Sequence, residues 1–210
     1  MNWIIYGDKG SGAFAAEAAL AEAGAEWEFR EISLERNEQR SPDFLAINPA
    51  GKIPALQLPE GEIITESLAM LLVVAERYPE AALLPPVGTA ARARALRWLA
   101  FMASEIYPIV EIEDYPSRFV PDGAASDALR EKSKERIRER LLILEHAAAG
   151  PWILAGGFSA CDIYAVMFSR WSATHGWRDE HIPKLCAIMR GLAERPALGP
   201  VWRKFFSGTF

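Results

Sequence analysis

Two residue pairs flank a predicted β-hairpin in the stretch GKIPALQLPEGEIITES, residues 51–67. Ile53-Pro54 opens the first strand, and a proline is tolerated there because the start of a strand can do without the missing N–H. The pattern predicts a cis Ile53–Pro54 bond, which would leave the N–H and C=O of Ile53 pointing outward and unpaired. Such an unused strand edge can bind the backbone of a short peptide in antiparallel fashion.

Glu66-Ser67 follows the second strand, at the start of a predicted helix. The free N–H groups and the dipole of a helix N-terminus favour an anion. The Ser67 hydroxyl can donate to a carboxylate, the Glu66 carboxylate can accept from an ammonium group, and Lys52 can hold a further carboxylate. Together they predict a docking surface for a γ-glutamyl peptide. Taken alone, Glu66 and Ser67 are also ordinary capping residues, and Pro54 is an ordinary start of an edge strand; the complete run of residues favours binding.

The elements that position these residues follow the order βαβ and then ββα. The run consists of NWIIY, GAFAAEAALAEAG, EWEFREI, a short helix after Ser41, the hairpin and ESLAMLLVVAERYP. This order predicts an α/β thioredoxin-like N-terminal domain over residues 1–79. Prolines and a glycine predict a linker over residues 80–90, and apolar residues at helical spacing predict an all-α C-terminal helical domain over residues 91–210. Pro108 is expected to kink its helix, and shorter helices are predicted around 160–172, 183–194 and 198–206.

Composition and charge restrict the class of protein. The chain has 210 residues, half of them hydrophobic, and a net charge of −5. Residues 1–85 carry 6 Lys/Arg and 14 Asp/Glu, a net charge of −8, whereas the remainder carries 17 and 14, a net charge of +3. This balance argues against a nucleic-acid partner, and we expect neither a membrane span nor a signal peptide. Two cysteines without a CxxC pair favour the cytoplasm, and the three histidines show no metal-ligand spacing.

Three motifs carry a resemblance to a known family: NPAGKIPAL, ITES and GGFSACDIY. With them the chain resembles the cytosolic glutathione S-transferases of bacterial type over nearly its full length. The resemblance implies that Lys52, Ile53-Pro54 and Glu66-Ser67 bind glutathione as co-substrate, that no other cofactor is needed, and that the protein is a cytoplasmic homodimer. It implies conjugation of glutathione to a small hydrophobic electrophile. Ser159 and Asp162 form a capping box in GGFSACDIY, which is structural in the family.

The residue that stabilises the glutathione thiolate is expected in the loop YGDKGSGAF, residues 6–14. Lowering a thiol pKa from about 8.5 by about two units takes roughly 2.7 kcal/mol, which one hydrogen bond to a charged group, about 1.5–3 kcal/mol, can supply. In the resembling family, the cysteine of the bacterial beta class aligns with Gly12, and the tyrosine of the animal classes falls near Gly7, one place from Tyr6. The serine of several other classes falls within about one residue of Ser11. Ser11 is the predicted catalytic residue; a simple capping role for Ser11, the use of backbone N–H groups instead, and Tyr6 remain open.

Tyr107, Tyr115 and Phe119 are the predicted second-substrate residues, in a pocket expected between the two domains. Aromatic residues at helical spacing are also common in ordinary packing, which is the alternative here.

Two further functions stay open on the same scaffold. One is a glutathione-dependent reductase, isomerase or lyase, and the other is a non-catalytic glutathione-binding stress protein.

Overall fold

The computed structural model describes residues 2–206 of the chain. Its sheet has four strands in the order β2-β1-β3-β4, with bounds β1 Trp3–Gly7, β2 Trp27–Glu31, β3 Ala55–Gln57 and β4 Ile63–Ile64. β2 runs parallel to β1, β3 is antiparallel to β1, and β4 is antiparallel to β3. The predicted βαβ-ββα order and the thioredoxin-like fold class are confirmed.

Helix α1 (Ala13–Glu22) connects β1 to β2 and is buried along its first eight residues. It is rich in alanine, and small side chains allow close approach to the sheet. Gly7 at the end of β1 shows how close: a Cβ on Gly7 would overlap the Cβ of Ala13. Helix α3 (Ser67–Arg77) contacts α1. The start of α1 is therefore held tightly against the end of β1.

Helix α2 (Pro42–Ile47) helps to form a second core. The Ser41 hydroxyl caps α2 by accepting from the N–H of Phe44 at 3.2 Å. The Phe44 ring packs on the Tyr6 ring with centroids 6.5 Å apart, in a cluster that includes Ala55 and partly buried isoleucines. Tyr6 is therefore a core residue.

The chain divides into two compact units, one of residues 2–84 with 192–206 and the other of residues 85–191. The division falls within the predicted linker, but the final helix α10 (Leu198–Phe206) belongs to the first unit. This differs from the expectation of one helical domain over residues 91–210. The cause is an aromatic cluster in which Phe14 of α1 packs against Trp202, Phe205 and Phe206 of α10.

The second unit is helical throughout. Its helices begin with α4 (Ala90–Phe101), continue through a π-helical segment at Met102–Ile106 into α5 (Tyr107–Asp114), and are followed by α6 (Ala124–Ala147), α7 (Ala160–Arg170) and α8 (Arg178–His181). Helix α9 (Pro183–Glu194) comes before α10. Pro108 lacks an N–H, so the helix accommodates it by widening one turn before it. Within residues 2–206 no helix combines the length and the apolar character needed to cross a bilayer.

The capping box at the start of α7 is formed as the sequence predicted. The Asp162 carboxylate accepts from the N–H of Ser159 at 2.8 Å, the hydroxyl of Ser159 at 3.0 Å and the N–H of Ile153 at 2.7 Å. Burial raises the pKa of Asp162 to about 6, and these hydrogen bonds oppose the rise. The box fixes the turn before α7.

Candidate functional site

Strand register brings the loop after β1 to the predicted peptide-binding edge. β1 and β3 are antiparallel, with Tyr6 opposite Ala55. The loop of residues 8–12 leaves β1 just beyond Tyr6, and Ile53-Pro54 enters β3 just before Ala55. Both therefore lie at the same end of the sheet.

The register of the hairpin brings Glu66 to that end as well. Leu56 of β3 pairs with Ile64 of β4. Because the pair is antiparallel, two residues before Leu56 and two residues after Ile64 are carried to the same end. Pro54 and Glu66 occupy these positions, so three separate segments of the sequence converge there.

The backbone of Ile53 is available for a peptide ligand. The Ile53–Pro54 bond is cis, which confirms the prediction. The N–H and C=O of Ile53 have no hydrogen-bond partner among residues 2–206. The preceding turn is fixed by Asn48, whose side-chain amide donates to the carbonyl of Lys52 at 2.6 Å and whose oxygen accepts from the N–H of Ala50 at 3.1 Å. The edge is therefore held in place while the backbone groups of Ile53 have no hydrogen-bond partner within residues 2–206.

Glu66 has a backbone conformation that the fold alone does not explain. Its φ of 65° and ψ of 109° lie outside the regions that residues with a Cβ normally occupy. Its exposed side chain makes no capping hydrogen bond, and within residues 2–206 its carboxylate has no partner. Strained residues of this kind cost about 1–3 kcal/mol and concentrate at binding sites. The capping interpretation therefore fails for Glu66. It still applies to Ser67, which is 2% exposed at the first position of α3.

A second cation lies beside Lys52, and the sequence analysis missed it. Gly51 has a φ of +58°, and a Cβ placed on it would lie 2.8 Å from Nη1 of Arg40. Nη1 of Arg40 is 3.5 Å from the carbonyl oxygen of Ala50. Arg40 and Lys52 thus both border the same tight turn. No local motif marks Arg40, because its approach depends on how the segment before α2 folds over Gly51.

The hydroxyl of Ser11 is engaged within its own loop. It donates to the carbonyl of Asp8 at 2.7 Å and accepts from the N–H of Ala13 at 3.2 Å. Asp8 in turn accepts from the N–H of Leu34 at 2.7 Å, so it anchors the loop. The N–H of Gly12 donates to no acceptor among residues 2–206. Two donors therefore stand at the start of α1: a backbone N–H that is free, and a hydroxyl that must first turn from Asp8.

Tyr6 and the position of Gly7 offer no alternative hydroxyl. The Tyr6 hydroxyl donates to the side chain of Gln57 at 3.1 Å and accepts from Arg30 at 3.2 Å. A side chain at position 7 would collide with Ala13. The loop therefore requires glycine at position 7.

The predicted second-substrate residues lie in two different environments of the helical unit. Tyr107 packs against a ring cluster of α7 and its end, consisting of Tyr164, Phe168 and Trp171, with centroids 5.3–6.3 Å away. Tyr115 and Phe119 are 39% and 52% exposed. Arg118 covers one face of the Tyr115 ring at 3.9 Å. Packing contacts thus explain the position of the Tyr107 ring, while the rings of Tyr115 and Phe119 remain accessible to solvent.

Side chains that commonly bind metal ions, and the two cysteine thiols, are dispersed in the described part of the chain. No group of three or more His, Cys, Asp or Glu side chains between residues 2 and 206 is arranged to hold an ion. Both cysteines are buried, and burial raises the pKa of the Cys161 thiol to about 12. Neither thiol is suited to act as a nucleophile near neutral pH.

Comparison with known proteins gives a consistent result. Residues 3–76 match the family model for the glutathione S-transferase N-terminal domain. An uncharacterized GST-like protein, YncG of Escherichia coli K12, is 30% identical over 203 residues, which are 95% of this chain and 97% of that protein. Glutathione S-transferase GstA of Escherichia coli O157:H7 is 29% identical, covering 89% and 90% of the two chains.

Two solved structures extend this likeness to three dimensions. A sphingomonad glutathione S-transferase complexed with glutathione is 33% identical and superimposes with a TM-score of 0.79, covering 95% of this chain and 97% of that one. A glutathione transferase homologue from Sulfitobacter with bound glutathione is 27% identical, with a TM-score of 0.89 and coverage of 98% and 99%.

Proposed function

Because this chain belongs to the glutathione S-transferase family, we propose that it binds glutathione at the converging end of the sheet and conjugates its thiolate to a small hydrophobic electrophile. The observation that carries the proposal is Glu66. Its strained backbone and its exposed carboxylate, which makes no capping hydrogen bond on α3, suit an ammonium ligand. The chain is thus a glutathione transferase of bacterial type.

Glutathione offers one ammonium group, two carboxylates and a cysteinyl backbone, and the sheet end has a complement for each. The cysteinyl N–H and C=O pair with the free groups of Ile53. The γ-glutamyl carboxylate accepts from Ser67 and the N-terminus of α3, while its ammonium group donates to Glu66. The glycyl carboxylate lies against the cations of Lys52 and Arg40. This arrangement leaves the thiol pointing toward the start of α1.

The start of α1 stabilises the thiolate in this proposal. Turning the Ser11 hydroxyl from Asp8 to the sulfur exchanges a neutral hydrogen bond of about 0.5–1.5 kcal/mol for one to a charged group of about 1.5–3 kcal/mol. The free N–H of Gly12 and the helix dipole, about 0.3–1 kcal/mol, act in the same direction. The thiolate then attacks the electrophilic carbon, a C–S bond forms, and the leaving group departs with its electron pair.

We assign the second substrate to the accessible aromatic residues of the helical unit, Tyr115 and Phe119, with Tyr107 as a fixed neighbour. Their exposed ring surface favours a hydrophobic electrophile. The family resemblance further supports a cytoplasmic homodimer that needs no cofactor besides glutathione. The arginines of α4, Arg92, Arg94 and Arg97, are the proposed dimer contacts, because a cationic helix complements the acidic first part of a second chain.

The experiment combines calorimetric titration with glutathione and conjugation of a chloronitrobenzene. Ser67→Ala removes a hydrogen bond to a carboxylate, so affinity for glutathione should fall about 10–150-fold. Ser104→Ala is the matched control, because that hydroxyl donates to the carbonyl of Ala100 in its own helix, and it should bind as wild type. Unchanged affinity in the Ser67→Ala protein would contradict the carboxylate site. Binding without turnover would identify a non-catalytic glutathione-binding protein instead.

A further inference from the structure

The loop that carries Ser11 and Gly12 contains two glycines, which leave its shape loosely defined. Gly10 has a φ of +73°, and a Cβ placed on it would meet no described atom within 4 Å. Packing therefore does not confine this part of the loop, and glycine leaves the backbone freer than any other residue. The positions of the Ser11 hydroxyl and the Gly12 N–H depend on the polar contacts that the loop makes.

The Asp8 side chain ties this loop to the segment that follows β2. Its Oδ2 accepts from the N–H of Leu34 at 2.7 Å, and its Oδ1 accepts from the N–H of Lys9 at 2.8 Å. Hydrogen bonds to an ionised acceptor are stronger than those between neutral groups. One carboxylate thus shapes the loop from within and joins it to a distant part of the chain.

The segment to which Asp8 is tied is itself fixed. The Glu38 carboxylate accepts from the N–H of Ser33 at 2.8 Å, while the N–H of Glu38 donates to the carbonyl of Ser33 at 2.9 Å. The Ser33 hydroxyl accepts from the N–H of Arg36 at 3.2 Å, and Nε of Arg36 donates to Glu38 at 2.9 Å. Asp8 therefore joins the loop to a closed turn that keeps its own shape.

The backbone of Asp8 determines where the Ser11 oxygen lies. The N–H of Asp8 donates to Oγ of Ser11 at 3.3 Å, and the N–H of Ala13 donates to the same oxygen at 3.2 Å. The carbonyl of Asp8 accepts the Ser11 hydroxyl at 2.7 Å and also the N–H of Ser11 at 3.3 Å. When the hydroxyl turns toward a sulfur, the oxygen keeps both backbone donors and the carbonyl keeps the Ser11 N–H. Only the proton has to move.

We propose that Asp8 is the positioning residue of the thiolate site: its side chain clamps the loop, and its backbone places the Ser11 oxygen at the start of α1. Asp8 thus acts on the sulfur through Ser11 and Gly12. The inference rests on the proposed glutathione transferase function and deepens it. Within residues 2–206 the hydrogen bonds of Asp8 go to Lys9, Ser11 and Leu34, so its loss should change the thiol pKa more than the affinity for glutathione.

The experiment measures three quantities on the full chain: the pKa of bound glutathione by thiolate absorbance, its dissociation constant by calorimetry, and the kinetics of chloronitrobenzene conjugation. Asp8→Ala should raise the pKa of the bound thiol by about 0.5–1 unit. Below that pKa, kcat should fall about 3–10-fold, in proportion to the lost thiolate. The dissociation constant and the KM for glutathione should stay within about threefold of wild type.

The sign of the pKa change separates positioning from a simple charge effect. If Asp8 acted only as a negative charge near the sulfur, its removal would lower the thiol pKa. Asp8→Asn removes the charge but keeps an acceptor for the N–H of Leu34, so it should recover about half or more of the change. It also carries the test if Asp8→Ala does not fold. A lowered pKa in either variant would overturn the inference.

Thr89→Ala is the control for a loss of stability alone. The Thr89 hydroxyl caps α4 by accepting from the N–H of Arg92 at 3.1 Å, and the cap lies in the other compact unit. This variant should lower Tm by about 2–4 °C and leave the pKa of the bound thiol unchanged. A change in this pKa equal to that of Asp8→Ala would overturn the inference.

A double variant tests the route through Ser11. In a Ser11→Ala background, Asp8→Ala should raise the pKa of the bound thiol less than half as much as in the wild type. An equal rise in both backgrounds, or no rise in either, would overturn the inference while the wild type still binds and ionises glutathione. A wild type that does not bind glutathione would instead overturn the proposed function, and this inference with it.

Discussion

Replacing Glu66 by glycine should make the protein more stable and, at the same time, weaken its binding of glutathione. Glu66 holds a φ of 65°, which costs a residue with a Cβ about 1–3 kcal/mol and costs glycine almost nothing. Glycine also loses about 0.4–1 kcal/mol through the greater freedom of the unfolded chain. The net expectation is a gain of about 1 kcal/mol in the free energy of unfolding, or about 2–4 °C in Tm.

The loss of affinity for glutathione can be calculated separately from the gain in stability. Removing the carboxylate removes one hydrogen bond to an ammonium group, about 1.5–3 kcal/mol, so the dissociation constant for glutathione should rise about 10–150-fold. Glu66→Gln is the matched control, because it keeps the Cβ and the strain but loses the charge. It should lose affinity without gaining stability.

Urea denaturation and titration calorimetry on the three proteins separate these effects. If Glu66→Gly is no more stable than Glu66→Gln, the backbone at this position is not strained. If both variants bind glutathione as the wild type does, the carboxylate has no part in recognition. Either result would refute the reasoning that links the conformation of Glu66 to its ligand.

Three further predictions concern Gly7, Ser11 and Asp162. Gly7→Ala should destabilise the fold by about 1–3 kcal/mol in urea denaturation, since the new methyl overlaps Ala13; wild-type stability would show spare room there. Ser11→Ala should raise the pKa of the bound thiol in a thiolate absorbance titration by about one to two units, and an unmoved pKa would assign the role to the Gly12 N–H. Asp162 has its pKa raised to about 6 in the fold, above its ordinary value of 3.8. The unfolded chain therefore loses this proton first as pH rises, and the free energy of unfolding falls by about 2 kcal/mol between pH 4 and 6; Asp162→Asn should lack this slope, and a parallel pH profile would contradict the shift.

Features specified by local sequence were predictable. Periodicity two in the strands, the proline at the mouth of β3 and the turn residues 59–61 define the hairpin, and its register then carries Glu66 to the end of the sheet where Pro54 lies. The capping box needs only Ser159 and Asp162 three residues apart. The bounds of α9 and α10 follow from apolar spacing in the same way.

Features that depend on distant parts of the chain were not predictable. The direction of the Ser11 hydroxyl is set by the Asp8 carbonyl in a folded loop, and the approach of Arg40 to Gly51 requires the whole segment before α2. Amphipathic spacing shows that α10 has an apolar face but does not say which element covers it. The unusual φ of Glu66 has no sequence signal, because glutamate is a common residue in a first helical turn.

The packing of α10 on α1 has a consequence during synthesis. Phe14 leaves the ribosome early, but its ring partners Trp202, Phe205 and Phe206 come last among the residues described. At about 5–20 residues per second, translation takes about 10–40 s to cover the chain between them. During that interval the nascent first unit exposes the face of α1 that α10 later covers, so the core of this unit is completed only after the helical unit has been synthesised.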